Sequence, residues 1–285
     1  MRFFLVFFVL LLICSSCFDD SSDIDNEIKD LTIQASIKEG DFARVYLTNA
    51  IPFDSKIDSL ALLKAIEFQA KVNLHDSQGN SELLTLNIDE NKYPFIFYHG
   101  NSIKGETGVK YFIDVEVKGE IFNSETEVPL APSVHSHNFV DSFIDGELDE
   151  LFKDLKLVLN NINGEIQYYK FTVNDNSLNN EFLPANPYII NTENVSGDTF
   201  LVLLEFNGFT SGNELTLDVI SISKEEYEFL EAIGGDKTTL LEGFSFNEQI
   251  PSNILGNAFG YWSGENSLSL SLKVQKEGGV QVPSF

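Results

Sequence analysis

Residues 31–49 read LTIQASIKEGDFARVYLTN, and their alternation decides the fold. Leu31, Ile33, Ala35 and Ile37 are apolar at every second position, with Thr32, Gln34, Ser36 and Lys38 between them. A period of two sends one set of side chains to each face of an extended strand. Glu39-Gly40-Asp41 then makes a turn, and Val45 and Leu47 resume the alternation. Two strands joined by a turn, each with one apolar face, are the first elements of a β body.

The same pattern continues outward. Phe68-Ala70-Val72-Leu74 leads into the turn His75-Asp76-Ser77-Gln78-Gly79-Asn80. Leu84-Leu86-Ile88 and Phe95-Phe97 follow. After Lys104-Gly105-Glu106-Thr107-Gly108 come Tyr111-Ile113-Val115-Val117, a turn at Lys118-Gly119-Glu120 and a strand through Val128. About seven short strands punctuated by turns predict an immunoglobulin-like or transthyretin-like sandwich over residues 30–130. Pro129-Leu130-Ala131-Pro132 interrupts the pattern, because proline cannot donate to a ladder, and places a domain boundary there.

Residues 131–285 predict a second β-rich domain. Phe139 to Ile144 opens it; Leu148, Leu151, Phe152 and Leu155 stand at helical spacing, and Leu155-Leu157-Leu159 at strand spacing. A turn at Asn161-Ile162-Asn163-Gly164 precedes alternation from Ile166 to Val173, and Phe200–Phe206 and Leu215–Ile222 are further strands. Ser223-Lys224-Glu225-Glu226 is a capping box, in which the Ser223 hydroxyl accepts from the Glu226 amide and Glu226 reaches back. Gly234-Gly235 supplies the helix stop, and Tyr227 and Leu230 would face the sheet. The fold class is mainly β, two β domains with one or two short helices.

Met1 to Cys17, MRFFLVFFVLLLICSSC, has the layout of a bacterial lipoprotein signal. Arg2 supplies the positive start, Phe3 to Ile13 the apolar core, Ser15 and Ser16 the small residues before the cut. An apolar run of this length is too short for a transmembrane helix, which needs about 20 residues. Residues 1–16 are read as the signal peptide and Cys17 as the lipidation site, an anchor of several acyl chains. Cys14 occupies the position where such signals usually carry an aliphatic residue. Residues 17–29 form an acidic tether, and Asp19, Asp20, Asp23 and Asp25 are read as a signal for export to the outer face of the outer membrane.

Composition excludes several functions. Of 18 basic residues Arg2 leaves with the signal, so the mature chain holds 17 bases against 44 acids, a formal charge of −27. Such a field repels phosphate backbones and anionic headgroups, which disfavours nucleic acid as a partner. Arg44 is the only arginine of the mature chain, so a bidentate clamp on phosphate is disfavoured. Cys17 is its only cysteine, which leaves no intrachain disulfide, no thiol nucleophile in the body and no cysteine zinc site.

Few residues carry recognisable chemistry. His135 and His137 are two apart and would point the same way in an extended segment, but no third ligand accompanies them. Asp145-Gly146-Glu147-Leu148-Asp149-Glu150 lacks the sixth-position glycine and distal glutamate of an EF-hand loop. No G-x-S-x-G, H-E-x-x-H or phosphate-binding glycine loop occurs. No catalytic residue, metal ligand or cofactor is assigned. The stretch PSNILGNAFGYWSG, residues 251–264, holds the only tryptophan beside Tyr261 and Phe259 among three glycines. Two readings of it stand open: Phe259, Tyr261 and Trp262 contact a ligand or partner, or Phe259 and Tyr261 alternate into the core while the glycines relieve crowding.

LTIQASIKEGDFARVYLTNAIPF, AKVNLHDSQGN, GVKYFIDVEVKGE, EIQYYKFTV, ISISKEEYEFLEAI and QIPSNILGNAFGYWSG occur in this order. The series resembles the Bacteroidota lipoprotein family catalogued as domain of unknown function 4249, over nearly all of the mature chain. Asn257 and Ala258 stand where relatives tend to have Gly and Leu. The resemblance implies a surface partner for a TonB-dependent outer-membrane receptor barrel and brings no catalytic residues. The expectation is therefore a non-enzymatic lipoprotein on the outer membrane, facing the exterior, that captures substrate for a receptor or assembles with it. A surface adhesin or glycan binder is the alternative, and a hydrolase built on paired carboxylates a more remote one.

Overall fold

The computed structural model describes residues 31–49, 59–89, 95–144, 147–162, 164–175, 188–204, 209, 212–234 and 250–274. The elements of the first half are β1 (Leu31–Lys38), β2 (Phe42–Asn49), α1 (Ser59–Ala65), β3 (Ala70–Asp76), β4 (Ser81–Leu83), β5 (Thr85–Ile88), β6 (Ile96–Lys104), β7 (Lys110–Val117) and β8 (Glu120–Glu127). The second half contributes β9 (Val134–Ile144), β10 (Glu147–Asn160), β11 (Tyr168–Asp175), β12 (Tyr188–Asn191), β13 (Thr199–Leu204), β14 (Glu214–Ile222), α2 (Lys224–Gly234) and β15 (Ala258–Lys273). The protein is mainly β, as its alternation predicts.

Three sheets hold these strands. The largest runs β12-β11-β14-β15-β1-β2-β6-β5; a second runs β4-β3-β7-β8 and a third β13-β10-β9. The first sandwich closes around Ile33, Ala35 and Ile37 of β1 and Val45 and Leu47 of β2, packed with Val72, Leu74, Ile113, Val115 and Phe122 of the four-stranded sheet. The second closes around Leu155, Leu157 and Leu159 of β10, with Phe171, Leu217, Val219 and Leu204. Full burial of one such side chain contributes about 1.5–3 kcal/mol relative to exposure, so each core rests on the alternation that produces it.

β15 ties the two sandwiches together. Its first half pairs in parallel with β1, from Leu31↔Ala258 to Lys38↔Glu265. Its second half pairs antiparallel with β14, from Ser221↔Asn266 to Glu214↔Lys273. β1–β8 lie before Pro129–Pro132 and β9–β15 after it, and β15 pairs with strands of both halves. Ile254, Ala258 and Trp262 belong to the first core. A parallel partner more than 200 positions away in sequence leaves no local signal.

The helical spacing at Leu148–Leu155 is corrected: the segment is strand β10. Asp149 pairs with Ser142 and Lys153 with Asp141, so residues 150–152 are extra on the β10 side. That irregularity offsets the period of two and imitates a period near four. α1 has no counterpart in the sequence reading. The turns are where expected; at Lys118-Gly119 both residues are left-handed (φ 51° and 88°), the conformation of a tight two-residue hairpin loop.

Candidate functional site: an aromatic strand, a buried charge cluster and an acidic cleft

The aromatic stretch lies on strand β15 rather than a loop, and the alternation divides it between two faces. Trp262 is fully buried in the first core, and its indole Nε1 donates to the Tyr111 carbonyl at 3.0 Å. The expectation that Trp262 is offered to a ligand is therefore corrected: both its ring and its polar handle are used inside. Asn253 holds the same residue by its backbone, accepting from Trp262 N at 2.9 Å and donating to Trp262 O at 2.9 Å. Phe259 and Tyr261 are partly buried on the opposite face, where Tyr261 meets the edge of Phe229 from α2 at 5.2 Å.

Two glycines of this stretch are dictated by close approach. A Cβ on Gly260 (φ +122°) would stand 1.8 Å from the Ile33 carbonyl oxygen, and one on Gly264 2.1 Å from that of Glu127. Relief of crowding therefore accounts for them.

Under α2 lies a cluster that sequence reasoning missed. Ser223 caps the helix as predicted, accepting from the Glu226 amide at 3.2 Å. The other half of the box is different: the Ser223 amide donates to Ser263 Oγ at 3.2 Å. Glu226 turns inward, fully buried, and Lys170 Nζ donates to its Oε1 at 2.6 Å and to Glu265 Oε1 at 3.3 Å. Burial works against the charge on Lys170, but the two carboxylates outweigh it and hold its pKa above that of an ordinary lysine. Burial, with Glu265 adding to it, raises the Glu226 carboxyl. Burial first and Glu226 second push the Tyr261 phenol up. Glu226 Oε2 has no hydrogen-bond partner. The sequence carries a signal for it, since Lys170 interrupts the aromatic and β-branched run Tyr168-Tyr169 and Phe171-Thr172-Val173.

The third feature is an open cleft of about 710 Å³. Its floor comes from the outer face of β7 and β8, where the register places Lys110 opposite Glu127, Phe112 opposite Glu125 and Asp114 opposite Asn123. Its far wall is Ser223 and Glu225 at the start of α2 together with Asn253 and Leu255. Asn123 and Leu255 exchange backbone hydrogen bonds at 3.2 and 2.8 Å, which fixes Leu255 along the edge of β8. Asp114 is engaged by His75 at 3.0 Å and by the Asn123 amide.

A family model described as Domain of unknown function (DUF4249) matches residues 20–267. The chain belongs to that family. The match begins within the acidic tether and runs through both sandwiches into β15, so Asn253, Trp262, Glu226 and the cleft all lie within it. No curated protein matches the chain. Among solved structures, a cytokine receptor complex is 7% identical with a TM-score of 0.26, covering 67% of this chain and 89% of its own. A DUF4785 family protein from Legionella pneumophila is 11% identical with a TM-score of 0.23, covering 67% of this chain and 52% of its own. Likeness at that level carries no argument about this chain.

Of the other residues predicted from sequence, Cys17, Asp19, Asp20, Asp23 and Asp25 lie outside the described residues. His137 is buried, which lowers its pKa, and His135 is exposed. The β9–β10 register shifts between Val158 and Leu159, opposite this part of β9, so the two rings do not share one environment. Among the described residues no three His, Cys, Asp or Glu side chains are grouped to hold a metal ion.

Proposed function

We propose that the protein is a non-enzymatic lipoprotein of the outer-membrane surface that docks on, or helps load, a TonB-dependent receptor. The observation that carries this reading is the N-terminus: an apolar run over Phe3–Ile13 and two serines lead to Cys17, the sole cysteine of the mature chain, and an acidic tether follows. Acylation explains why a chain with no disulfide keeps that one cysteine. The tether would hold the double-sandwich body off the membrane, and the −27 charge of the mature chain keeps it from lying on anionic lipid. An anchored body with an open cleft suits capture or docking.

The test has two arms. Metabolic labelling with palmitate should mark the wild type and not Cys17→Ala, and protease added to intact cells should degrade the labelled protein. A tagged form extracted in mild detergent should bring a receptor barrel with it. Unlabelled wild type or protection from external protease would contradict the address.

A further inference from the structure

We propose that the cleft between the β7–β8 face and Leu255 receives a short basic segment carrying an apolar side chain, contributed by the partner protein; this rests on the receptor-docking reading above. Leu255 is 69% exposed, yet its backbone is fixed by the two hydrogen bonds to Asn123. It lines the same cleft as Phe112, so Phe112 on the floor and Leu255 on the far wall give the cleft two apolar side chains rather than a lone surface leucine of the ordinary kind.

The rim defines the charge of the occupant. Glu125, Glu127 and Glu225 surround this cleft and make no ion pair among the described residues, of which Lys110 is the one base in the lining. Carboxylates left unpaired around apolar side chains attract cationic groups and repel anionic ones. A bare metal ion would leave Phe112 and Leu255 uncovered, and an acidic segment would meet both the rim and the −27 charge of the mature chain. The volume lies within the about 300–1,000 Å³ range of ligand clefts, which limits the occupant to a few residues.

The probe is a five-residue peptide alternating lysine and leucine, blocked at both ends and titrated calorimetrically into the mature protein in non-ionic detergent, with a detergent blank. It should bind about tenfold or more tightly than a lysine–serine peptide and than a glutamate–leucine peptide. Glu125→Gln with Glu127→Gln should weaken it about tenfold. Glu147→Gln with Glu193→Gln removes the same charge from distant exposed positions and should change affinity by less than about twofold. Unaltered emission from buried Trp262 shows that the variants are folded. Equal losses from both charge pairs, or no preference for leucine over serine, would overturn the inference.

Barrel recovery separates this inference from the reading beneath it. Wild type should recover the barrel and Glu125→Lys with Glu127→Lys should not. Equal recovery by both would overturn the cleft's role and leave receptor docking standing. Recovery by neither would overturn receptor docking, with the titration still deciding the cleft's chemistry.

Discussion

Lys170 Nζ and Glu226 Oε1 are 2.6 Å apart, and this pair joins strand β11 to helix α2 at the end capped by Ser223. Glu226 is fully buried, so removing Lys170 strands its carboxylate, while removing Glu226 leaves Lys170 with Glu265 alone. Lys170→Met or Glu226→Leu alone should cost about 3–5 kcal/mol, whereas the two combined should cost far less than the sum. Urea unfolding of the three variants gives the coupling; additive losses would contradict the pairing.

The alkaline limit of stability follows from the same region. Burial pushes the Tyr169 phenol up to about 12, and Tyr261 and Lys170 are also raised. Each group holds its proton more tightly folded than unfolded, so its contribution is complete below the unfolded pKa of about 10 and is lost as pH rises through the folded value. Stability should fall steadily from about pH 10 to about pH 12, with phenolate absorbance appearing together with unfolding. Ionisation of all nine tyrosines near their ordinary pKa in folded protein would contradict this.

Glu67 carries the opposite sign. Burial pushes its carboxyl up, but the Gln69 amide at 2.9 Å and Lys118 at 3.3 Å overcome that and hold it below the usual range. Its contribution is present above the unfolded pKa and lost as pH falls through the folded one. Glu67→Gln should destabilise by about 1 kcal/mol at neutral pH and by nothing once acid has protonated the wild type. Denaturant midpoints at the two pH values make the comparison.

Glycine at 260 and 264 is a steric requirement. Gly260→Ala and Gly264→Ala each place a Cβ on a backbone oxygen of a neighbouring strand and should abolish the folded state. Gly108→Ala, at φ +76° with nothing within 4 Å, should cost only about 1 kcal/mol for the left-handed backbone. Soluble yield and thermal melting distinguish the two classes.

Removing the Asn253 side chain leaves Trp262 N and O without their partners. Asn253→Ala should lose about 1–3 kcal/mol and shift Trp262 emission to longer wavelength as the segment loosens. Stability within about 0.5 kcal/mol of wild type would remove the clamp from the account.

What the sequence disclosed follows from range. Leu31 to Leu47, Tyr111 to Val117 and the Ser223 cap are local patterns, and their alternation or hydrogen-bond grammar is complete within a few residues. The parallel pairing of Leu31–Lys38 with Ala258–Glu265 is not local, and it decides which side of Trp262 is buried. Relief of crowding at Gly260 and Gly264 is one of two readings open in the sequence, and only the carbonyls of Ile33 and Glu127 show what is crowded. Glu226 fits a capping box by spacing; its competition with Lys170, 56 positions away, has no signature in the helix itself. The cleft is likewise assembled from β7, β8, α2 and Leu255, four pieces that no motif links.

Proposed attachment to a receptor at the outer-membrane surface is tested most directly by recovering tagged, acylated protein from a mild-detergent extract of the native membrane and identifying what co-elutes. Such attachment predicts a TonB-dependent barrel in near-equal amount with wild type. Recovery of the protein alone, with its acylation intact, would contradict it.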